Sequence, residues 1–467
     1  MVKSILICVL VVGCVAPGKK NPISCFDRKC DDPARPYCDF DGSVAGQPNT
    51  CIAVECTPNA FETCRADDSA AVCNAAGNNF DVRPCDFGCD DTAGCKVCSP
   101  NTISCDGDVL RRCDAVAVPT SETCAGGCVD GGTPHCAHVV PKYVPDICES
   151  DAVMPELVIT NSATFDTGLD SNCTGGVVVQ PSAPEICVAH YGRIEIPAGK
   201  TLTVRGTRVV AFVADTNIRI SGDLDLSADG GRGGAGGGRL SGGQALLASG
   251  GGGAGFKTVG GAGGNGTTDG GANNRGSASD PLLLAPLLGG FNNSGGAGGA
   301  GTLIACRGSV IVDGLVDAGG GGGGGGAFDA ALMAFRGGGG GGSGGYVVFQ
   351  GLTVEVTGSV FANGGGGGGG FGPGMMMSRG GEDGSRSATT CALGGGPLAD
   401  EGVGGKGGCT AGTPGNGTRP AGSGKTAGGG GGSMGFFQTY TPTPAASILT
   451  PVAASPSFEP VLTIPTR

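Results

Sequence analysis

Three segments of this chain carry one pattern, and each runs directly into a glycine tract. Ile218–Leu226, Val310–Ala318 and Val354–Ala362 all read apolar-x-apolar-x-Gly-x-apolar-x-apolar, with the glycine at Gly222, Gly314 and Gly358. Alternation with a period of two is the signature of a half-buried strand. A strand that repeats while insertions of unequal length follow it at the same place is how a stacked array of parallel strands grows loops. Closing such a loop costs entropy only as the logarithm of its length, whereas an insertion inside a Greek-key sandwich more often disturbs pairing. The expected fold is therefore all-β: a parallel β-helix (solenoid) over residues 148–445 with long glycine-rich insertions at 229–300, 319–345 and 364–432. Shorter alternating runs at Ile194–Ile196, Leu202–Val204 and Val209–Val213 precede the repeats and fit the same sheet. No helical segment of convincing length follows the first few residues, so a βαβ cofactor fold or a (β/α)₈ barrel has no support.

The insertions pose a physical problem. The chain has 99 glycines, about three times the ordinary share of ~7%, and ordering glycine costs more backbone entropy than ordering any other residue. No strict Gly-X-Y period runs through them, which excludes collagen. Glycine runs come in pairs around more ordinary residues. Gly319–Gly326 leads to Ala327–Arg336 and Gly337–Gly342 follows; Gly364–Gly370 is answered by Gly428–Gly432. Two readings fit this layout. One is a disordered spacer. The other is a set of extended segments packed side by side, since absent Cβ atoms let backbones approach and hydrogen-bond laterally. Apolar tips at Phe328, Leu332, Met333 and Phe335, and Pro281–Leu288 inside the first insertion, suit a packed loop. Cys391 and Cys409 would staple the third insertion.

Residues 25–147 read as small disulfide-rich modules. Cys56, Cys64, Cys73, Cys85, Cys89 and Cys95 form one set, and Cys98, Cys105, Cys113, Cys124, Cys128 and Cys136 a second with similar steps. Cys56-Thr-Pro-Asn opens one and Cys98-Ser-Pro-Asn the other; a shorter unit with Cys25, Cys30, Cys38 and Cys51 precedes both. Modules this small cannot bury enough surface to fold unaided, so covalent staples are required. Spacing does not give the pairing. Zinc is the competing use of Cys95-x-x-Cys98 and His135-Cys-Ala-His138, but the close pair that recurs is Cys-x₃-Cys, and an exported chain favours oxidation.

Export is indicated by the first residues. Lys3 precedes a short apolar run, Ile5–Val12, that is too short to span a bilayer. It ends Val11-Val12-Gly13-Cys14, where a small residue before cysteine resembles the lipobox of bacterial lipoproteins; the resemblance implies a lipoprotein signal peptide at 1–13, Cys14 as the lipid-attachment residue and a lipidated tether at 14–24. An ordinary signal peptide cut near Ala16 is the alternative. Residue 15 is Val rather than Asp, which by resemblance to enteric sorting rules implies the outer membrane. With Cys8 removed and Cys14 acylated, an even number of cysteines remains, as a disulfide framework requires. The Pro/Ser/Thr-rich end, 446–467, reads as a strap or a tail.

Signals for chemistry are sparse. Net charge is −12 with no basic cluster, which argues against nucleic acid as a partner. Gly424-Lys425-Thr426 and Gly199-Lys200-Thr201 lack the earlier glycine of a phosphate loop. Asp229-Gly-Gly and Asp269-Gly-Gly are isolated rather than periodic, so no calcium repeat is built. The only histidines are His135, His138 and His190. Asp223, Asp225, Asp313, Asp317 and Glu355 fall near equivalent positions of the repeated strands, so some could stack as paired carboxylates. No catalytic, cofactor or metal site is expected.

These motifs together resemble the Cys/Gly-rich predicted surface lipoproteins of the myxobacterial type: the Cys14 lipobox, the tandem modules with Cys85/Cys89 and Cys124/Cys128, and the strands centred on Gly222, Gly314 and Gly358. The resemblance covers nearly the whole chain and implies location and architecture, not a reaction. A weaker likeness to mycobacterial Gly-Gly-x surface proteins concerns the glycine tracts alone. The function expected is a structural or adhesive display scaffold, exported to the outer membrane or cell surface and held in the membrane by its lipid, without catalytic activity and with no cofactor. Surface polysaccharide or protein would be its partner. The alternatives are a carbohydrate-active β-helix enzyme, a polysaccharide lyase or glycosidase using stacked carboxylates, and a passive coat or spacer.

Overall fold

The computed structural model describes residues 25–467 apart from 26–29, 36, 40–46, 54–55, 76, 78, 150–153, 241–247, 267–275, 279–285, 332, 373–377 and 397–399. Cys14, the signal and tether, Leu332 and most of Pro281–Leu288 lie outside the described residues. The chain is nearly all β, and two compact units divide it: residues 1–122 with 130–135, and 123–129 with 136–467.

The second unit is built on two sheets of parallel strands. One stacks Ala163–Asp166, Thr201–Arg205, Asp223–Asp225, Leu315–Asp317, Ser359–Phe361 and Ala453–Ser455 in that order. The other aligns Ile186–Tyr191, Val209–Ala214, Ala300–Val312, Tyr346–Val356 and Phe436–Thr441. Register places like beside like. Leu202, Leu224, Val316 and Val360 form one ladder, and Ile194, Ile218, Val310 and Val354 another. These ladders face each other across a continuous core that includes Phe165, Phe212, Phe349 and Phe437. Such stacking explains why the strands are short and rich in Val and Ile, because β-branched side chains fill the pleated surface well.

Gly222, Gly314 and Gly358 lie one above another where the chain turns between the sheets. Leu315 N donates to Gly222 O and Ser359 N to Gly314 O, each 2.8 Å. A Cβ on Gly314 or Gly358 would stand within 3.0 Å of the preceding turn's backbone. The corner is too tight for any side chain.

A second apolar layer covers the outer face of the long strands. Val139, Val144 and Cys148 pack there with Phe256, Leu287 and Leu288 from the first insertion and Ile464 from the chain end. Cys148–Cys306 ties this cover to the sheet across a sequence separation of 158. Residues 137–147, assigned by cysteine pattern to the modules, thus belong with the sheets. The end of the chain is likewise more than a tail: Ser447–Leu449 and Ala453–Ser455 extend both sheets, and Leu462–Thr463 pairs with Phe436–Thr441. Their Ser, Ala and Thr residues carry too little apolar alternation to announce strands.

In the first unit, short antiparallel strands are held by cystines. Cys25–Cys38 and Cys30–Cys51 interlace in the first module; Cys56–Cys73, Cys64–Cys89 and Cys85–Cys95 hold the second. Cys98–Cys113 repeats the first-to-third link, and Cys124–Cys136, within the second unit, repeats the fourth-to-sixth. Cys105 and Cys128 are also disulfide-bonded, as is every cysteine from Cys25 to Cys409. The repeated wording of the two sets is therefore a repeated bonding scheme.

Candidate functional site: the corner where the insertions leave the sheet

The chain crosses the first corner with residues 206–208 alone, between Thr201–Arg205 and Val209–Ala214. At the next three turns it leaves the equivalent position for a glycine-rich excursion. The necks are pinned identically. Gly299 N donates to Leu226 O, Gly345 N to Ala318 O and Gly435 N to Ala362 O, at 2.7–2.8 Å. Each returning tract is thus bonded to its own departure point.

Beyond the necks, the glycine segments bond to one another with a period of three. Gly320, Gly323 and Gly326 donate to the carbonyls of Asn363, Gly366 and Gly369. Gly338, Gly341 and Gly344 donate to Ala427, Gly430 and Ser433. In the tract 364–370 the phases separate cleanly. Gly364, Gly367 and Gly370 donate to Gly408, Gly405 and Gly402; Gly365 and Gly368 to Gly342 and Gly339; Gly366 and Gly369 to Glu382 and Arg379. Its carbonyls accept in turn from Gly323, Gly326, Gly395, Gly429 and Gly432. Three residues per turn with every bond going outward is the geometry of polyproline II, which has no internal hydrogen bonds. The tracts are a bundle of such helices rather than a spacer.

The burial of these amides makes their pairing obligatory, and the absence of Cβ makes it possible. A Cβ on Gly367 would come within 3.0 Å of Gly429 O, and one on Gly368 within 3.0 Å of Gly324 O. At the outward end sits a small hairpin, Ala327–Asp329 with Ala334–Arg336, where Phe328 meets Phe335 edge-on and Phe335 meets Phe371 at a tilt. Phe328 is 46% and Met333 78% exposed there. Cys391–Cys409 closes the inner part of the third insertion.

Charged side chains tie the insertions together at the corner. Asp225 and Asp317 are Cα partners on adjacent strands, which puts them about 4.8 Å apart along the stack. Asp317, 2% exposed, accepts from Gly319 N at 2.9 Å and from Arg386 Nε at 2.7 Å. Asp225 accepts from Ser227 N and Oγ at 2.9 and 2.6 Å, and from Arg205 Nη2 at 3.2 Å. Asp383 accepts from Gly322 N at 2.7 Å and Gly230 N at 3.1 Å. Gly230 belongs to the first insertion and Ser227 to the residues leading into it, Gly319 and Gly322 to the second, and Asp383 and Arg386 to the third. Asn363 Nδ2 adds bonds to Ser385 O and Ser387 O at 2.6 and 2.8 Å. Burial pushes the Asp317 carboxyl above the ordinary carboxylate range, with Arg386 pulling the other way.

Of the five acids raised by the sequence pattern, only Asp225 and Asp317 share a column. Asp313 lies in a turn and pairs with Arg219 at 2.5 Å; burial raises its carboxyl, but bonds from Ser221 and Arg219 hold it below the usual range. Glu355 aligns with Ile311 and Arg219 in the other sheet, and Asp223 with Leu315. The cleft lined by Ser227, Asp317, Asp383 and Arg386 has a volume of about 200 Å³, below the roughly 300–1,000 Å³ of a small-molecule site. Every carboxylate here is engaged by arginine or backbone N–H.

Other candidates resolve as structure. His190 is buried with Nε2 2.7 Å from Asp215 Oδ1. Lys425, from the near-match to a phosphate loop, meets Asp400 at 3.2 Å, and Thr426 Oγ1 accepts from Phe371 N inside the bundle. The sulfurs of Cys25, Cys30 and Cys51 cluster closely enough to suggest a metal, but all three are in disulfides. Among the described residues no helix is long and apolar enough to cross a membrane. Sequence reasoning had no means of finding Arg386 or Asp383, which stand in a Ser/Gly-rich stretch without periodicity. No protein-family model, curated protein or solved structure matches this chain.

Proposed function

We propose that the chain is a non-catalytic display scaffold: a cell-surface lipoprotein held through Cys14, whose two parallel sheets are successive turns of a parallel β-helix. The observation that carries this reading is the single corner. Repeated strands hold a fixed register, while all three long excursions leave the equivalent position and merge into one bundle. A fixed frame with variable, rigid projections is what presentation of a tip requires. Phe328 and Met333 at the hairpin supply exposed apolar surface at the end of the bundle. Disulfides throughout suit an oxidising exterior. The saturated carboxylates and the small cleft at the corner argue against the glycosidase or lyase alternative.

The anchor is tested by expressing the full chain and Cys14→Ser in a bacterium that processes lipoproteins, with labelled fatty acid. The native chain is expected to carry label and partition with membranes, and the variant to lose both. Label retained by Cys14→Ser would overturn the anchor.

A further inference from the structure

A cleft larger than the one at the corner lies in the disulfide-rich unit. Its volume is about 550 Å³, and it is bounded by Phe87, Val97 and the Cys98–Cys113 cystine together with the strands Ile103–Asp106, Val109–Cys113 and Pro119–Thr123. Its lining includes Arg111 and Arg112 and no carboxylate, in a chain whose net charge is −12. Phe87 is 45% exposed at its edge.

The neighbouring module provides an internal control. Both modules open with a left-handed asparagine, Asn59 (φ 62°) and Asn101 (φ 58°), and both close the first strand pair with a first-to-third cystine. In one, Thr63 pairs with Ala71 and Phe61 with Val72; in the other, Ser104 pairs with Arg111 and Ile103 with Arg112. Ser69–Cys73 is buried throughout, whereas Val109–Cys113 presents Arg111 to solvent. The same frame carries a small apolar centre in one copy and an arginine pair beside an open cleft in the other.

We infer that this cleft binds an acidic oligosaccharide, a uronate-bearing glycan whose carboxylate meets Arg111. Arg111 Nη2 now donates to Asp106 Oδ2 at 2.6 Å, with both side chains more than half exposed. An exposed pair of this kind contributes little, and a ligand carboxylate can exchange into a bidentate bond with the guanidinium. Ser104, Thr120 and Ser121 supply the hydroxyls that match sugar hydroxyls, and the Phe87 ring supplies a flat apolar face for the C–H side of a pyranose. An acidic peptide adding a strand to the edge at Pro119–Thr123 is disfavoured by Pro119, which has no N–H to donate. The inference does not depend on the lipid anchor or on the bundle, so failure of either leaves it standing.

The test is a calorimetric titration of the full, oxidised chain with a galacturonate trimer, a glucose trimer and a glutamate hexapeptide. Intact mass under non-reducing conditions confirms that each variant keeps its disulfides. Binding is expected for the galacturonate trimer, weakening as salt rises. It should fall at least tenfold in Arg111→Gln and in Phe87→Ala, and be lost in the double variant Arg111→Ala with Arg112→Val, which copies the neighbouring module. Absence of galacturonate binding, equal binding of the glucose trimer, tighter binding of the peptide, or unchanged affinity in the variants would each overturn the inference.

Discussion

Residues 25–136 and the glycine tracts of the three insertions both carry few of the large apolar side chains from which cores are normally built, yet they are held by different bonds. In the first region no described strand exceeds five residues, and the buried side chains are mostly cystine, alanine and the occasional leucine or valine. Order there comes from cross-links that constrain the unfolded chain. In the glycine tracts, side chains are nearly absent and the backbone itself is the contact surface. Among the described residues, Cys391–Cys409 is the one disulfide that lies wholly within an insertion. Covalent staples tolerate varied sequence between them, as the two aligned modules show. A backbone bundle tolerates almost none, because each tract is surrounded by others.

Reduction separates the two most sharply. Losing one native disulfide from a small domain costs about 2–5 kcal/mol, so a reductant under native conditions should unfold residues 56–113 and open them to protease. The segments around 364–370 and 428–435 should survive the same treatment. Limited proteolysis with mass spectrometry reads both outcomes; joint loss of the two regions would mean the bundle leans on the cystines.

A single Cβ should do the reverse. Gly367→Val places side-chain atoms on the Gly429 carbonyl, and is expected to destabilise the bundle by about 4 kcal/mol or more while leaving the modules intact. A Cβ on Gly396 would meet nothing within 4 Å, so Gly396→Ala should change stability by no more than ~0.5 kcal/mol. Thermal unfolding of the two variants checks the pair. Equal effects would show that composition, not packing, selects glycine.

The smallest effect concerns the corner. Burial raises the Asp317 pKa despite Arg386, so the folded state binds this proton more tightly than the unfolded state, whose value is about 3.9. The contribution to stability is complete below that value and is lost as pH rises through the folded one. Asp317→Asn, neutral throughout, should therefore lose less melting temperature than the native chain between pH 4 and 7. An identical slope would mean that Asp317 contributes nothing to the pH dependence.

The sequence made the strands at 218–226, 310–318 and 354–362 legible because alternation and a corner glycine recur together. Cysteine pairing was not legible, since it depends on distances through space, although the repeated steps did mark repeated modules. A run of identical glycines carries no phase, so the period of three appears only when donors and acceptors are traced. Arg386 meets Asp317 across 69 residues, and nothing local marks either as a partner. Ser447–Leu449 and Ala453–Ser455 escaped notice because the ladder above them, not their own side chains, makes them strands.

Hydrogen–deuterium exchange on the intact, oxidised chain addresses the bundle most directly. Amides of 320–323, 338–345, 364–370 and 428–433 lie in buried tracts and most of them donate to backbone carbonyls; local stability of about 4 kcal/mol would slow their exchange roughly a thousandfold. Protection of that order across all four tracts is the expected result. Exchange at the rate of an unstructured glycine peptide, with the Val and Ile strands still protected, would contradict it.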